Sequence, residues 1–264
     1  MTDGLRVALA QYPHTEHGPS IVRQAAAAGA DVVVFPEMYS NGYATFDAGD
    51  KAAQMRFRQG ALALDGPYVD GFRDAARTNR IHVVATLLEQ GSPDPFNSAI
   101  LIDDRGETVL HHRKVHTCFF DAPESECGRG DAFRGAEIAT SSGPVRVGLM
   151  ICMDREYAHA AMQLSAQGVE IGLVPNCCRL ASDPVVGDVR IAQARGRAFE
   201  AVMGLAVANY PAPRCDGRSF AVDSLGRMLA MTDERAGLTV AEFDLALIRR
   251  TRREDWFRWR SGPL

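Results

Sequence analysis

Three reactive side chains stand at the ends of candidate strands in this 264-residue chain. In VVVFPEMYSNGY, Pro36 stops the strand ladder and Glu37 follows at once. In VLHHRKVH, Lys114 lies among apolar and aromatic-like neighbours at a strand end. VGLMICMDREY closes its apolar run on Cys152, then turns charged at Asp154, Arg155 and Glu156. Singly, each has a plain structural explanation: an inert buried thiol, a turn carboxylate, a solvated ammonium. Together they are the parts of thiol-based acyl chemistry, if the fold brings them into one crevice.

The elements that must do this can be read from the pattern. Short β-branched runs recur: LRVALAQY, ADVVVFPE, IHVVATLLEQ, FNSAILIDD, VRVGLMIC, VEIGLVPN, LAVANY, SFAVDS and LTVAEFD. Several are apolar on consecutive residues, which predicts strands covered on both faces. Segments 20–30, 68–79, 156–167 and 188–203 carry apolar residues at helical spacing. DDRG at 103–106 and DSLG at 223–226 predict hairpins. The class is therefore α/β, with helical crossovers and hairpins together. If Glu37, Lys114 and Cys152 end neighbouring strands of one parallel-type sheet, they share the crevice where open α/β sheets place ligands. No linker or composition break divides residues 1–264, so a single domain is expected.

A net charge of −4 gives no electrostatic reason to expect nucleic acid or an anionic membrane as partner. No apolar run approaches the roughly 20 residues that span a bilayer. The opening MTDGLRVALAQYPH does not read as an export signal, because its apolar part is short and lacks a basic leader. Six cysteines in a chain of this length, two of them adjacent at Cys177 and Cys178, are expected as reduced thiols in a cytoplasm.

PEMYSNGY, HHRKVH and GLMICMDREY resemble the three signature segments of the nitrilase superfamily of carbon–nitrogen hydrolases, in the same order. LRVALAQY, FNSAILIDDRG, GVEIGLVPN and DGRSFAVDSLGRML also match, so the resemblance covers nearly the whole chain. It implies a four-layer α-β-β-α sandwich, a homodimer or larger even-numbered homo-oligomer, and catalysis without a metal or other cofactor.

The same resemblance implies roles. Glu37 would take the proton of Cys152 and later activate the water that cleaves a thioester. Lys114 and the backbone N–H of Met153 would hold the oxyanion. A second glutamate would come from DAPESECGRGD, where Glu124 is preferred to Glu126 by register to Gly130. CMDREY is nearer to the Cys-x-Asp-Arg pattern of N-carbamoyl-amino-acid amidohydrolases than to the Trp-Glu of true nitrilases. Arg155 would then bind a substrate carboxylate, while Glu156 replaces a second arginine. Tyr43, Asn176 and Cys177 are candidate pocket residues.

The substrate expected is a small linear amide or ureide, with a nitrile as the alternative. A non-catalytic binding protein on the same fold would have lost one of Glu37, Lys114 or Cys152, and all three are present. A soluble acyltransferase would use the same residues. Strand alternation places His112, Lys114 and His116 on one face, but a cation there would be repelled by the lysine and lacks a third ligand at the expected spacing. The aromatic tail Trp256 to Arg260, within about 245–264, is expected to pack on the core or at a subunit interface.

Overall fold

A computed structural model describes residues 4–254. The β-branched runs form two six-stranded mixed sheets. The first contains β1 (Gly4–Gln11), β2 (Val32–Val34), β3 (His82–Glu89), β4 (Phe96–Ile102), β5 (Thr108–Arg113) and β12 (Gly237–Asp244), in the order β12-β1-β2-β3-β4-β5. The second contains β6 (Gly135–Thr140), β7 (Gly143–Leu149), β8 (Ile171–Pro175), β9 (Gly204–Ala208), β10 (Phe220–Val222) and β11 (Met228–Met231), in the order β11-β10-β9-β8-β7-β6. Each sheet has three parallel strands at its centre, β1-β2-β3 and β7-β8-β9, flanked by antiparallel partners.

Helices make the parallel crossovers. Helix α1 (Gly18–Ala27) joins β1 to β2, and α2 (Lys51–Gln59) with α3 (Pro67–Asn79) joins β2 to β3. Helices α4 (Ala158–Ala166) and α5 (Val189–Ala201) serve the second sheet, and α6 (Leu245–Glu254) follows β12. Alternation along the strands builds the layers. Val7, Leu9, Val32, Val34, Val147 and Leu149 fill the space between the sheets. Ala8, Val33 and Val83 turn outward to meet Ile21, Val22 and Phe72 of α1 and α3. Met150 and Leu205 meet Leu164 of α4 and Ala198 of α5 on the far side. This is the α-β-β-α sandwich, and the consecutive burial of its central strands explains their unbroken apolar runs.

The tight hairpin at Asp103–Gly106 joins β4 to β5, and that at Asp223–Gly226 joins β10 to β11. Two strands and two helices, α2 and α6, escaped the sequence pattern. Strand β6 is mostly half-buried and carries no apolar run, and β11 is only four residues long and largely exposed despite its apolar MLAM. Helix α2 buries only Phe57 and shows no apolar stripe. Helix α4 starts at Ala158, because Cys152–Glu156 forms a separate 3-10 turn.

One expectation is corrected. Glu37 and Lys114 follow strands of the first sheet, but Cys152 follows β7 of the second. The reactive residues meet across two stacked sheets, not along one edge. In the tail, Leu245 and Ile248 of α6 are buried against this chain's own core, while Trp256 to Arg260 lie outside the described residues.

Candidate active site

Glu37 lies just past β2 and is fully buried. Its backbone is held from three sides. The N–H of Glu37 donates to the Asn176 carbonyl at 3.4 Å, and the Tyr210 hydroxyl donates to the Glu37 carbonyl at 3.0 Å. The Thr86 hydroxyl donates to the Pro36 carbonyl.

Lys114, also fully buried, follows β5. Its N–H donates to the Asn97 carbonyl on β4, and its own carbonyl accepts from Gly130, both at 2.8 Å. A Cβ on Gly130 would stand 2.0 Å from the Arg113 carbonyl oxygen, so this close approach needs glycine.

The Lys114 ammonium bridges two carboxylates, Glu37 Oε1 at 2.6 Å and Glu124 Oε1 at 2.5 Å. Asn97 reaches the same two oxygens through Nδ2, at 2.7 and 3.3 Å. The Tyr43 hydroxyl donates to Glu124 Oε1 at 2.7 Å, and the Cys118 N–H donates to Glu124 Oε2 at 2.7 Å. Glu126, by contrast, points away and pairs with Arg58 at 2.9 Å.

The two carboxylates are therefore unlike. Glu124 has protein donors on both oxygens, whereas Glu37 Oε2 is buried with no hydrogen-bond partner in the protein. Burial and the neighbouring Cys152 push the Glu37 carboxyl well above the usual carboxylate range, although Lys114 pulls it down. At Glu124 burial also acts upward, but Lys114 and the hydrogen bonds outweigh it and hold the group low. Lys114 stays firmly protonated, because the two carboxylates outweigh its desolvation. One ionised and one readily protonated carboxylate share one cation.

Cys152 opens the turn after β7 with φ of 44°, a left-handed conformation that costs a non-glycine residue about 1–2 kcal/mol. The Cys177 carbonyl oxygen lies 3.9 Å from its sulfur. A hydrogen bond to Cys178 and burial push the Cys152 thiol up, against the pull of Lys114 and Arg155. Cys178 is held lower, despite burial, by the same bond and by Arg155. Its sulfur takes Asn176 Nδ2 at 3.3 Å and Arg155 Nη2 at 3.6 Å.

Arg155 is fully buried, and its Nη2 also donates to Asn176 Oδ1 at 3.2 Å. Its Nε and Nη1 have no hydrogen-bond partner, and the Glu156 carboxylate stands 3.8 Å from Nη1. Cys177 departs from its expected position. Its sulfur packs 3.5 Å from Cys215 in the helix-side layer, and only its carbonyl faces Cys152. All six cysteines are free.

The fold thus brings together Glu37, Lys114, Glu124, Tyr43 and Cys152, with Arg155 and Asn176 beside the thiol. Sequence reasoning missed Asn97 and Cys178. The signal for Asn97 was an amide interrupting the buried run of FNSAILIDD; Cys178 had none beyond its type. His112 and His116 converge on the Asp154 carboxylate.

Residues 6–253 match the family model for carbon–nitrogen hydrolases. The chain is 30% identical to an (R)-stereoselective amidase of Pseudomonas sp over 229 residues, 86% of this chain and 78% of that protein. It is 27% identical to nitrilase homolog 2 of Dictyostelium discoideum over 246 residues, 88% of this chain and 70% of the relative. A carbon–nitrogen hydrolase from Helicobacter pylori G27 has the same fold, with a TM-score of 0.82 at 21% identity, covering 97% of this chain and 94% of that one. An amidase from Nesterenkonia sp. superposes with a TM-score of 0.72 at 23% identity, over 97% and 96% of the two chains. The chain belongs to the carbon–nitrogen hydrolase family, the nitrilase superfamily, whose enzymes hydrolyse carbon–nitrogen bonds other than peptide bonds.

Proposed function

We propose that this protein is a thiol amidohydrolase that releases ammonia from a small linear amide or N-carbamoyl compound through a thioester on Cys152. The observation that carries this reading is Glu37 Oε2, a buried carboxylate oxygen without a protein partner inside the Glu37–Lys114–Glu124 cluster. An oxygen kept free in such a place is suited to receive a proton.

In the reaction, Glu37 takes the Cys152 proton and the thiolate attacks the substrate carbonyl. The Lys114 ammonium and the Met153 N–H hold the oxyanion; loss of one such donor typically costs about 10²–10³ in rate. Glu124, ionised and fixed by Tyr43, Asn97 and the Cys118 amide, keeps Lys114 charged and positions the leaving amine. Collapse of the intermediate expels ammonia, which leaves with the proton first taken by Glu37. Glu37 then removes a proton from the water that attacks the thioester; the C–S bond breaks, the acid leaves, and the proton returns to the Cys152 sulfur. Lys114 and Met153 supply the polarisation each step needs, and no cofactor enters.

Arg155 favours a carboxylate-bearing substrate. Burying a guanidinium without a carboxylate at hydrogen-bond distance is costly, and two of its nitrogens make no hydrogen bond, Glu156 standing 3.8 Å from one of them. An incoming carboxylate would satisfy them. We extend the reading to a single domain over 1–264 acting in the cytoplasm as a homodimer or larger even-numbered assembly, which light scattering on the purified protein tests. Among the described residues no helix is long and apolar enough to cross a membrane.

The deciding experiment is an ammonia-release screen over amides, ureides and nitriles, run beside Cys152→Ala with intact-mass detection of an acyl-enzyme. Turnover by Cys152→Ala at the wild-type rate would end the thiol mechanism, and preference for nitriles would move the protein to the nitrilase reading. Arg155→Ala is expected to raise KM about 10- to 100-fold for carboxylate-bearing substrates and to leave neutral amides little changed. Equal effects on both would remove the anchor.

A further inference from the structure

The two histidines flanking Lys114 in HHRKVH have no part in the reaction above, yet both end on one buried carboxylate. Asp154 Oδ2 accepts from the Ile151 N–H at 3.0 Å and from His112 Nε2 at 2.9 Å. Asp154 Oδ1 accepts from the backbone N–H groups of Val115 at 3.2 Å and His116 at 2.8 Å, and from His116 Nδ1 at 3.0 Å. Five donors thus converge on a side chain with no exposure. One comes from the residue before Cys152; the other four come from residues 112, 115 and 116, on both sides of Lys114. Capping the 3-10 turn alone would need only the Ile151 contact.

We propose that Asp154 is a positioning residue, a splint that sets the distance between Lys114 and Cys152. Such a splint is needed because the two residues follow β5 and β7, which belong to different sheets and share no ladder. Side-chain packing between sheets leaves more play than a ladder does, and an oxyanion site tolerates little. The charge on Asp154 is well supported. Burial alone would raise its pKa, but the bonds from His112 and His116 hold it below the usual carboxylate range. As an ionised acceptor it assigns the donor nitrogens, Nε2 on His112 and Nδ1 on His116.

The rings are themselves fixed. His116 stacks on Tyr157 with centroids 4.0 Å apart and on Phe133 at 5.8 Å, both at 16°. His112 lies 5.5 Å from Phe133. The two imidazoles that donate to the carboxylate are thus themselves packed among rings, with His159 at 4.8 Å from His116. Asp154 is turned away from solvent and joined to residues on each side of the site, so its removal should alter the reacting geometry more than substrate affinity.

The proposal rests on the thiol-hydrolase reading only for its turnover assay, so the test has a second arm. Asp154→Asn keeps the size but places an amide where only acceptors fit. His116→Ala removes one donor and leaves four. Both are to be compared with wild type in steady-state kinetics on the best amide and in the rate of Cys152 alkylation by iodoacetamide, followed by intact mass. The expected result is a fall in kcat of about 100-fold for Asp154→Asn and about 10-fold for His116→Ala, with KM within about threefold. Alkylation of Cys152 should change by about tenfold in the same order of variants.

Should Asp154→Asn fail to fold, His116→Ala carries the decision. Folded variants with wild-type kcat, or with the loss confined to KM, would overturn the splint. If wild type turns over no amide, nitrile or ureide, the hydrolase reading fails by itself. Cys152 alkylation then decides alone, and an unchanged rate in the folded variants would overturn the splint.

Discussion

At the scale of single residues, the site works by giving identical groups different surroundings. Glu37 and Glu124 both touch Lys114, but Glu124 has donors on both oxygens and Glu37 keeps one free. Asn97 tempers the contrast by donating to Glu37 Oε1 at 2.7 Å, which favours the ionised form. In the proposed mechanism Glu37 must be ionised to act as base, so activity is expected to rise as pH passes upward through its pKa, already raised by burial. Asn97→Ala removes a donor to the carboxylate and raises that pKa further. The acidic limb of the kcat/KM profile should therefore move to higher pH, with about a tenfold loss at a fixed pH on that limb. A profile that moved toward lower pH would show that Asn97 does not support the ionised base.

At the scale of elements, the reactive residues stand where strands end and the chain changes direction. Cys152 has its left-handed φ at one such corner, and Lys114 is held between β4 and the Gly128–Asp131 segment by paired backbone bonds. Gly130 is the narrow point, since a methyl there would collide with the Arg113 carbonyl. Gly130→Ala must push Arg113 and Lys114 aside, and a displacement near 1 Å at such a group can cost about 100-fold. We expect kcat to fall by at least tenfold while the protein remains folded; kinetics and a melting curve on the same preparation check both. Much of this was legible in sequence. Pro36 and the cysteine after VGLMI each close an apolar run, and the lysine after VLHHR ends a strand, which are local signals. Asn97 left only an amide in a buried strand as its signal and Asp154 left none, because their work depends on groups from other segments that no local period records.

At the scale of the whole molecule, buried charges tie the strands of a sheet together. Glu89 on β3 accepts from Ser98 and Arg113 and pairs with His111 at 2.7 Å, joining β3 to β4 and β5. Burial pushes Glu89 up, but His111, Arg113 and Ser98 outweigh it and set its pKa at about 2. A carboxylate lowered on folding stabilises the native state fully above its unfolded value near 4.5, and that stability is lost as pH falls toward 2. Glu89→Gln should therefore be less stable than wild type at neutral pH, with the difference shrinking between pH 4.5 and 2 in denaturant titrations. A difference independent of pH would assign the loss to packing.

The sequence by itself determined the α/β class, the doubly covered strands and the two tight hairpins, which follow from local period and turn chemistry that a segment carries within itself. It marked Glu37, Lys114 and Cys152 only as candidates, through strand ends and the resemblance to a family. Only the tertiary structure decided that Cys152 comes from a different sheet than Glu37 and Lys114. It also decided that Glu124 rather than Glu126 reaches the lysine, that Cys177 turns to Cys215, and that His112 and His116 meet on Asp154. The physical reason is that these are contacts between segments whose relative placement is set by how two sheets stack. Side-chain type and spacing along one strand do not contain that register.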